Sequence, residues 1–593
     1  MENTPFQQLR VVLPLIGAIS GCTFWLLFEI LPEHVSDARW LLLLAAFAAA
    51  YSAFLLVSVG PLSLRRAALQ GAWVSALASL LMFWSSWRFF SLEDALDAGH
   101  PFAAYALLTS LPIPFILAYE TAPKGWRDYE ALFDNAWSIF VRSATAWAFT
   151  GLFWLVVFLS DALLGLVGFN YIGDLISHAL VWMSLTGLVL GLALSVLDEM
   201  TGVVSTMRGL ALQLLRLLLP LVAVVVALFI VQVPFQGLAR VFGSLSAAAT
   251  MLAMVAGAAT LITAAVEASD EDAAKSRLMV GAARGLSLLL PIVAGIAVYA
   301  IWVRVAQYGW TPARLGGTLV ALVVLGYALS YAAAVLSGAA WRALIRSANT
   351  YIALSIIGLS ILWFSPILNA ERISANGHVA RFLNGKIAVK DLEFHKLDQT
   401  WGKAGKRALE RLRSAENPPE ATVLAAALKS FDQGASDSDL RRVTQKGDRE
   451  TALAALAAEM PLHPRGTDWP NGALSSLSDR RLANVLAGCR QLLETGQAGC
   501  VAIALKVEAG QLRDSLMVFY RGDATERVQY FTLLANENSD GYRYSTARRL
   551  IAGDILDIES TALIAALHAG EFTVAPAKLN AIELNGMQIL PRP

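Results

Sequence analysis

The chain has 593 residues, of which 56% are hydrophobic and only 16% charged, with mean hydropathy +0.56 and a formal net charge of zero. A soluble globular chain carries roughly a quarter charged residues, a neutral balance offers no basic field for nucleic acid, and 3 Cys are too few for a secreted disulfide scaffold. What remains is a mainly α, polytopic transmembrane helical bundle, followed by a soluble α+β C-terminal domain.

Long uncharged apolar runs mark the helices, because roughly 20 residues are needed to cross about 30 Å of hydrocarbon. Eleven spans are predicted: Val11–Leu31, Trp40–Val59, Ala67–Trp87, Pro101–Tyr119, Ala144–Val167, His178–Leu197, Leu214–Val233, Ala247–Val266, Leu286–Val303, Leu315–Leu336 and Tyr351–Leu368. The first is too long for a signal-peptide core, no small-x-small cleavage site follows it, and it reads as an uncleaved anchor. The fourth contains Pro112 and Pro114, and Pro366 lies near the end of the eleventh. Before the fifth span, Phe133, Trp137 and Phe140 share one helical face over Arg127–Arg142, opposite Asp134, Asn135 and Ser138. That pattern predicts an amphipathic helix lying on the bilayer, with membrane lipids as partners.

Charge divides the chain. Of the first 370 residues 37 are charged, against 55 of the last 223, so a membrane domain, 1–370, and a soluble domain, 371–593, are expected. With a cytoplasmic N-terminus, 12 Lys and Arg fall in inside loops and 5 outside. The bias favours that orientation, and an odd number of spans then makes the C-terminal domain periplasmic in a bacterial inner membrane.

In the soluble domain, helical spacing covers Ser374–Leu383, Gly402–Arg413, Ala421–Phe431, Glu450–Glu459, Arg480–Leu493 and Glu559–His568. Strand-like runs are Val501–Val507, Ser515–Tyr520 and Arg527–Leu533, and Ala581–Leu584 and Met587–Leu590 flank the hairpin dipeptide Asn585-Gly586. Cys489 closes a helical run and Cys500 opens a strand. A disulfide between them would suit an oxidising compartment, and two separate buried thiols are the alternative.

Three stretches carry a family resemblance. They are Tyr129-Glu130-Ala131-Leu132-Phe133-Asp134-Asn135-Ala136-Trp137; Leu289-Leu290-Pro291 with Arg304-Val305-Ala306-Gln307-Tyr308-Gly309-Trp310-Thr311-Pro312-Ala313-Arg314; and Arg372-Ile373-Ser374 with Val379-Ala380-Arg381-Phe382-Leu383-Asn384-Gly385-Lys386. Together they resemble the bacterial multi-pass family catalogued as domain of unknown function 4153. The resemblance implies an integral membrane protein of bacteria and assigns no activity. Leu215–Ala223 also parallels Leu286–Ala294, as a parallel repeat or as a chance match of Leu-rich spans.

Ionisable residues at membrane depth are costly and point to function. Glu29, Asp161, Gln232, Gln236, Arg304, Gln307 and Tyr308 all fall near the outer ends of their spans. They form a candidate binding cluster in which Arg304 would pair with Asp161 or Glu29, and the plainer reading is interfacial snorkelling. Gly187-x-x-x-Gly191 favours close helix packing inside the fold over dimerisation, and Pro220 and Pro291 favour kinks.

No P-loop, His-Glu-x-x-His or Gly-x-Ser-x-Gly motif occurs, and the seven His are never paired at metal-ligand spacing. No catalytic residue, metal or cofactor is assigned. The functional expectation is transport or handling of a lipid or envelope component through the outer-leaflet cluster. The alternatives are an anchored interaction or sensor module, meeting envelope proteins through the C-terminal domain, and an envelope enzyme using Glu29 or Asp161 as base.

Overall fold

A computed structural model describes residues 5–236, 245–464, 467–469, 472–493, 496–508, 511–520, 528–535, 542–546, 560–574, 582–584 and 587–589. Among these, eleven helices are long and apolar enough to cross a membrane, and the chain is a multi-pass membrane protein. They are α1 (Pro5–Trp25), α2 (Ala38–Ser58), α3 (Leu64–Ser86), α4 (His100–Thr121), α5 (Tyr129–Gly165), α6 (Ala179–Glu199), α7 (Thr201–Gln236), α8 (Leu245–Val266), α9 (Arg277–Tyr308), α10 (Pro312–Leu336) and α11 (Trp341–Phe364).

Their ends follow local chemistry. Asp37 and Asp128 accept backbone N–H groups at the starts of α2 and α5, and Thr311 does so at the start of α10, where Pro312 occupies the first turn. α9 stops at Gly309, whose φ of 79° suits glycine. The prolines of α4 do not end it, because Leu111 keeps helical geometry between the two halves.

The amphipathic segment before the fifth span is not a separate surface helix. From Tyr129 to Thr150 no Gly or Pro interrupts the chain, so α5 runs unbroken for 37 residues, roughly 55 Å at 1.5 Å per residue. The start of its apolar face turns inward, where Phe133 is buried against Leu212 of α7 and Ala264 of α8, while Phe140 is exposed. α7 likewise begins well before the predicted Leu214. Asp134 and Arg208 pair at 2.7 Å and join these two extended ends.

Two large apolar clusters join most of the spans. One gathers Leu13, Phe54, Ala67, Leu117, Ala146 and Leu194 from α1 to α6; the other gathers residues of α7 to α11 around Val255, Leu290, Ala294 and Tyr331. In the first, α1 and α6 cross with backbones in contact. A Cβ added at Gly17 would overlap the carbonyl of Gly187, and one added at Gly191 would overlap that of Leu13. Gly187 and Gly191 therefore pack inside the fold, against Gly17 and Leu13 of α1. In the second, α7 and α9, which carry the matching Pro220 and Pro291 segments, lie against each other.

The chain divides into two compact units, residues 1–387 with 392–416 and residues 388–391 with 417–593. The packing boundary thus falls later than the rise in charge at 370. α12 (Ala370–Leu383) and α13 (Gly402–Arg413) bury apolar faces on the rest of the membrane unit, and α12 also buries Glu371. Ala370 joins Leu315, Trp363 and Phe364, and the Lys403 N–H donates to the Arg88 carbonyl at 2.9 Å.

The second unit contains α14 (Ala421–Asp432), α15 (Asp437–Glu459), α16 (Asp479–Arg490) and α17 (Ser560–Ala569). Its sheet has the order β1 (Leu462–His463), β2 (Cys500–Glu508), β3 (Gln511–Tyr520), β4 (Val528–Ala535), β5 (Tyr542–Thr546). β1 is parallel to β2 and the rest are antiparallel, with Ala502 opposite Met517 and Met517 opposite Phe531. Alternation sends Ala502, Met517 and Phe531 to one face, under α15 and α16, and Val501, Val518 and Val528 to the other, with Ile564 of α17. Cys489 and Cys500 are joined by a disulfide that ties α16 to β2. β6 (Ile582–Leu584) and β7 (Met587–Ile589) pair antiparallel, and the Asn585-Gly586 turn lies outside the described residues.

Candidate functional site: an intramembrane cavity

A cavity of about 500 Å³ lies between α4, α5, α8, α10 and α11. Helix direction gives it a polar and an apolar end. Tyr129 opens α5; Thr263 lies three residues before the end of α8, Tyr331 five before the end of α10 and Asn349 eight after the start of α11. All four therefore sit within about 12 Å of the bundle end at which α1 begins. Leu111, Val255, Val323 and Ala353 line it further from that end. No charged side chain is among its lining residues.

The four polar groups form one hydrogen-bond network. The Tyr331 hydroxyl donates to Asn349 Oδ1 at 2.5 Å. Because its single proton is spent there, the 2.7 Å contact between Thr263 Oγ1 and Tyr331 Oη is a donation from Thr263. Asn349 Nδ2 donates to Tyr129 Oη at 2.9 Å and, more weakly, to Thr263 Oγ1 at 3.4 Å. Tyr331 is fully buried, where an unpaired hydroxyl would be costly.

Charge at the same end is spent on joining helices. Arg10 pairs with Glu199, Arg142 with Asp198, Arg216 with Glu267, and Arg346 with Asp270 at 2.9 Å. Arg346 also donates to the carbonyls of Val266 and Glu267, and Arg342 to that of Ala274. These contacts satisfy the last carbonyls of α8 and the loop after it.

The sequence-predicted cluster lies toward the opposite end. Arg304 stands 5.6 Å from the Tyr308 ring centroid, and Arg314 stands 5.5 Å from the same ring. Arg314 donates to the Gly309 carbonyl at 2.9 Å, and Arg381 to those of Ala306 at 2.8 Å and Gln307 at 2.6 Å. Three arginines thus gather at the C-terminus of α9, where its carbonyls lack helical partners. Gln307, Tyr308 and Gln232 have exposed side chains; the side chain of Gln236 lies outside the described residues. Glu29 is exposed in a π-helical turn after α1, and Asp161 faces Gly173 of the short helix Tyr171–Ser177. Among the described residues, α9 packs chiefly on α7, α8 and α10, while the helices bearing Glu29 and Asp161 pack chiefly elsewhere.

A second polar cluster at this end, formed where spans end and α12 begins, was not apparent from sequence. Glu371, 1% exposed, has Oε1 at 2.9 Å from His100 Nε2 and Oε2 at 3.5 Å from Arg88 Nη1. Trp363 Nε1 donates to His100 Nδ1 at 3.1 Å, so the ring proton sits on Nε2, toward the carboxylate. Arg88 also donates to the carbonyls of Trp363 and Ser365. Burial would push the Glu371 carboxyl up, but His100 and Arg88 outweigh it and hold the group below the ordinary carboxyl range. Burial in turn lowers the Arg88 guanidinium, against the opposing pull of Glu371.

Sequence reasoning missed Tyr129, Thr263, Tyr331 and Asn349 as site residues, Tyr129 entering only through the family resemblance. Thr263 and Tyr331 are neutral residues in largely apolar runs, and Asn349 precedes the predicted start of its span at Tyr351. The available signal was Arg346 and Asn349, one helical turn apart on a segment that extends the eleventh span. The fold and cavity define a multi-pass membrane protein with an uncharged intramembrane site. No family model, curated protein or solved structure matches the chain.

Proposed function

We propose that this is a bacterial inner-membrane protein that handles a lipid or lipid-like envelope component, held in the cavity between α4, α5, α8, α10 and α11. The observation that carries the reading is the cavity's polarity along the helix axes: a neutral hydrogen-bonding end near the bundle surface and an apolar end deeper in. An amphiphile entering from the bilayer fits that gradient, whereas an ion would find no charged side chain in the lining to offset its desolvation. The bacterial setting rests on the resemblance to the family catalogued as domain of unknown function 4153.

In this reading the N-terminus is cytoplasmic and the C-terminal unit periplasmic. The Lys and Arg bias of the loops, the odd number of spans and the Cys489–Cys500 disulfide support it. The polar end of the cavity then faces the cytoplasmic leaflet. Native mass spectrometry of the purified protein should show retained lipid, and Ala256→Phe, at a cavity-lining position, should abolish retention. Equal retention by both proteins would refute the reading.

A further inference from the structure

The hydrogen-bond network leaves one of its own donors over, in a cavity that the Tyr327 phenol also lines. Tyr331 gives its proton to Asn349, Thr263 gives its proton to Tyr331, and both Asn349 N–H groups point to Tyr129 and Thr263. Tyr129 accepts from Asn349, and among the described residues its hydroxyl has no other hydrogen-bond partner. Its own proton is therefore unspent. The hydroxyl lines the cavity, and a donor at the end of a hydrogen-bond chain is polarised by the bonds behind it.

We infer that Tyr129 donates its hydroxyl proton to the ester carbonyl of an acyl lipid whose chain fills the apolar end of the cavity. This rests on the lipid-handling reading and names its ligand class. A phenolic donor calls for an acceptor oxygen. The uncharged lining selects a neutral group over a phosphate or ammonium. Depth agrees: Thr263, Tyr331 and Asn349 lie within about 12 Å of their helix ends, near the boundary between head groups and chains. Asn349 is the positioning residue, because its amide donates to Tyr129 Oη and accepts from Tyr331.

The test compares a diacylglycerol with the matched dialkylglycerol, which has the same chains and lacks only the carbonyl oxygens, as competitors for a fluorescent diacylglycerol on the full-length protein in nanodiscs. The ester should bind about tenfold more tightly, the scale of one well-formed hydrogen bond. Tyr129→Phe keeps the ring and removes the proton; it should weaken the ester about tenfold and leave the ether within about twofold. Equal affinities in the unmodified protein, or equal weakening of both lipids by Tyr129→Phe, would overturn the carbonyl assignment and leave a water as the acceptor. Ala256→Phe separates the two levels of the argument. If it abolishes binding of both lipids while they bind equally in the unmodified protein, lipid handling stands and the carbonyl inference falls. If it changes neither, the cavity is not the binding site and both fall.

Discussion

At one end of the membrane unit, Tyr129, Thr263, Tyr331 and Asn349 share neutral hydrogen bonds beside a cavity; at the other, Glu371 is closed over by Arg88, His100 and Trp363. In the ionic cluster carboxylate, guanidinium and imidazole face one another, and the ends of α3, α4, α11 and α12 are joined. The neutral network ends with a donor to spare. Buried charge here serves assembly, and uncharged polarity is what remains to meet a ligand.

The comparison breaks most readily at Glu371. Removing one partner of a buried ion pair costs about 3–5 kcal/mol because the other is left uncompensated. Glu371→Gln should therefore lower the thermal midpoint in detergent more than the double change Glu371→Gln with Arg88→Met. Simple additivity would show that the charges do not depend on each other. A depressed carboxyl pKa adds a pH signature. The Glu371 contribution is complete above the unfolded value, about 4.3, and is lost as pH falls through the lower folded value. Glu371→Gln should flatten that acid limb.

A second test uses the C-terminal unit, where the staple is covalent. The disulfide joins residues 11 apart, and closing a loop of that size stabilises by about 3 kcal/mol. Alkylation without reductant should leave Cys489 and Cys500 unlabelled while Cys22, the free cysteine, reacts. Cys489→Ala should lower the unfolding midpoint of this unit, and labelling of both thiols in protein taken from cells would contradict the tie between α16 and β2.

The smallest expected effect is at the α1–α6 crossing. Gly17→Ala places a methyl against the Gly187 carbonyl and should cost about 1–3 kcal/mol as overpacking. The same change at Gly151, where a Cβ meets nothing within 4 Å, should be nearly neutral. Equal effects at the two glycines would remove the crossing from the account.

Much of the architecture was legible because apolar length is a direct consequence of bilayer thickness. All eleven spans are present, and the runs at Gly402–Arg413 and Val501–Val507 became α13 and β2. β1 and β5 were missed: β1 is two residues long and gains its identity only from its partner. The site was less legible. Charge drew attention to Arg304, which lies with Arg314 and Arg381 around the C-terminus of α9, whereas the network residues are neutral and come from four helices. Spacing within one helix does not reveal which helices meet. Glu371 escaped notice for the same reason: a carboxylate in a charge-rich segment looks solvated until α12 is seen folded back over Arg88 and His100.

The central claim is that the cavity between α4, α5, α8, α10 and α11 holds a lipid. A density map of the full-length protein in nanodiscs made from native lipid measures this directly. The account predicts elongated density along the helix axes, with one end within hydrogen-bond distance of Tyr129 Oη and the rest against Trp137, Val255 and Val323. A cavity closed by side chains, or one containing only water-sized peaks, would contradict it.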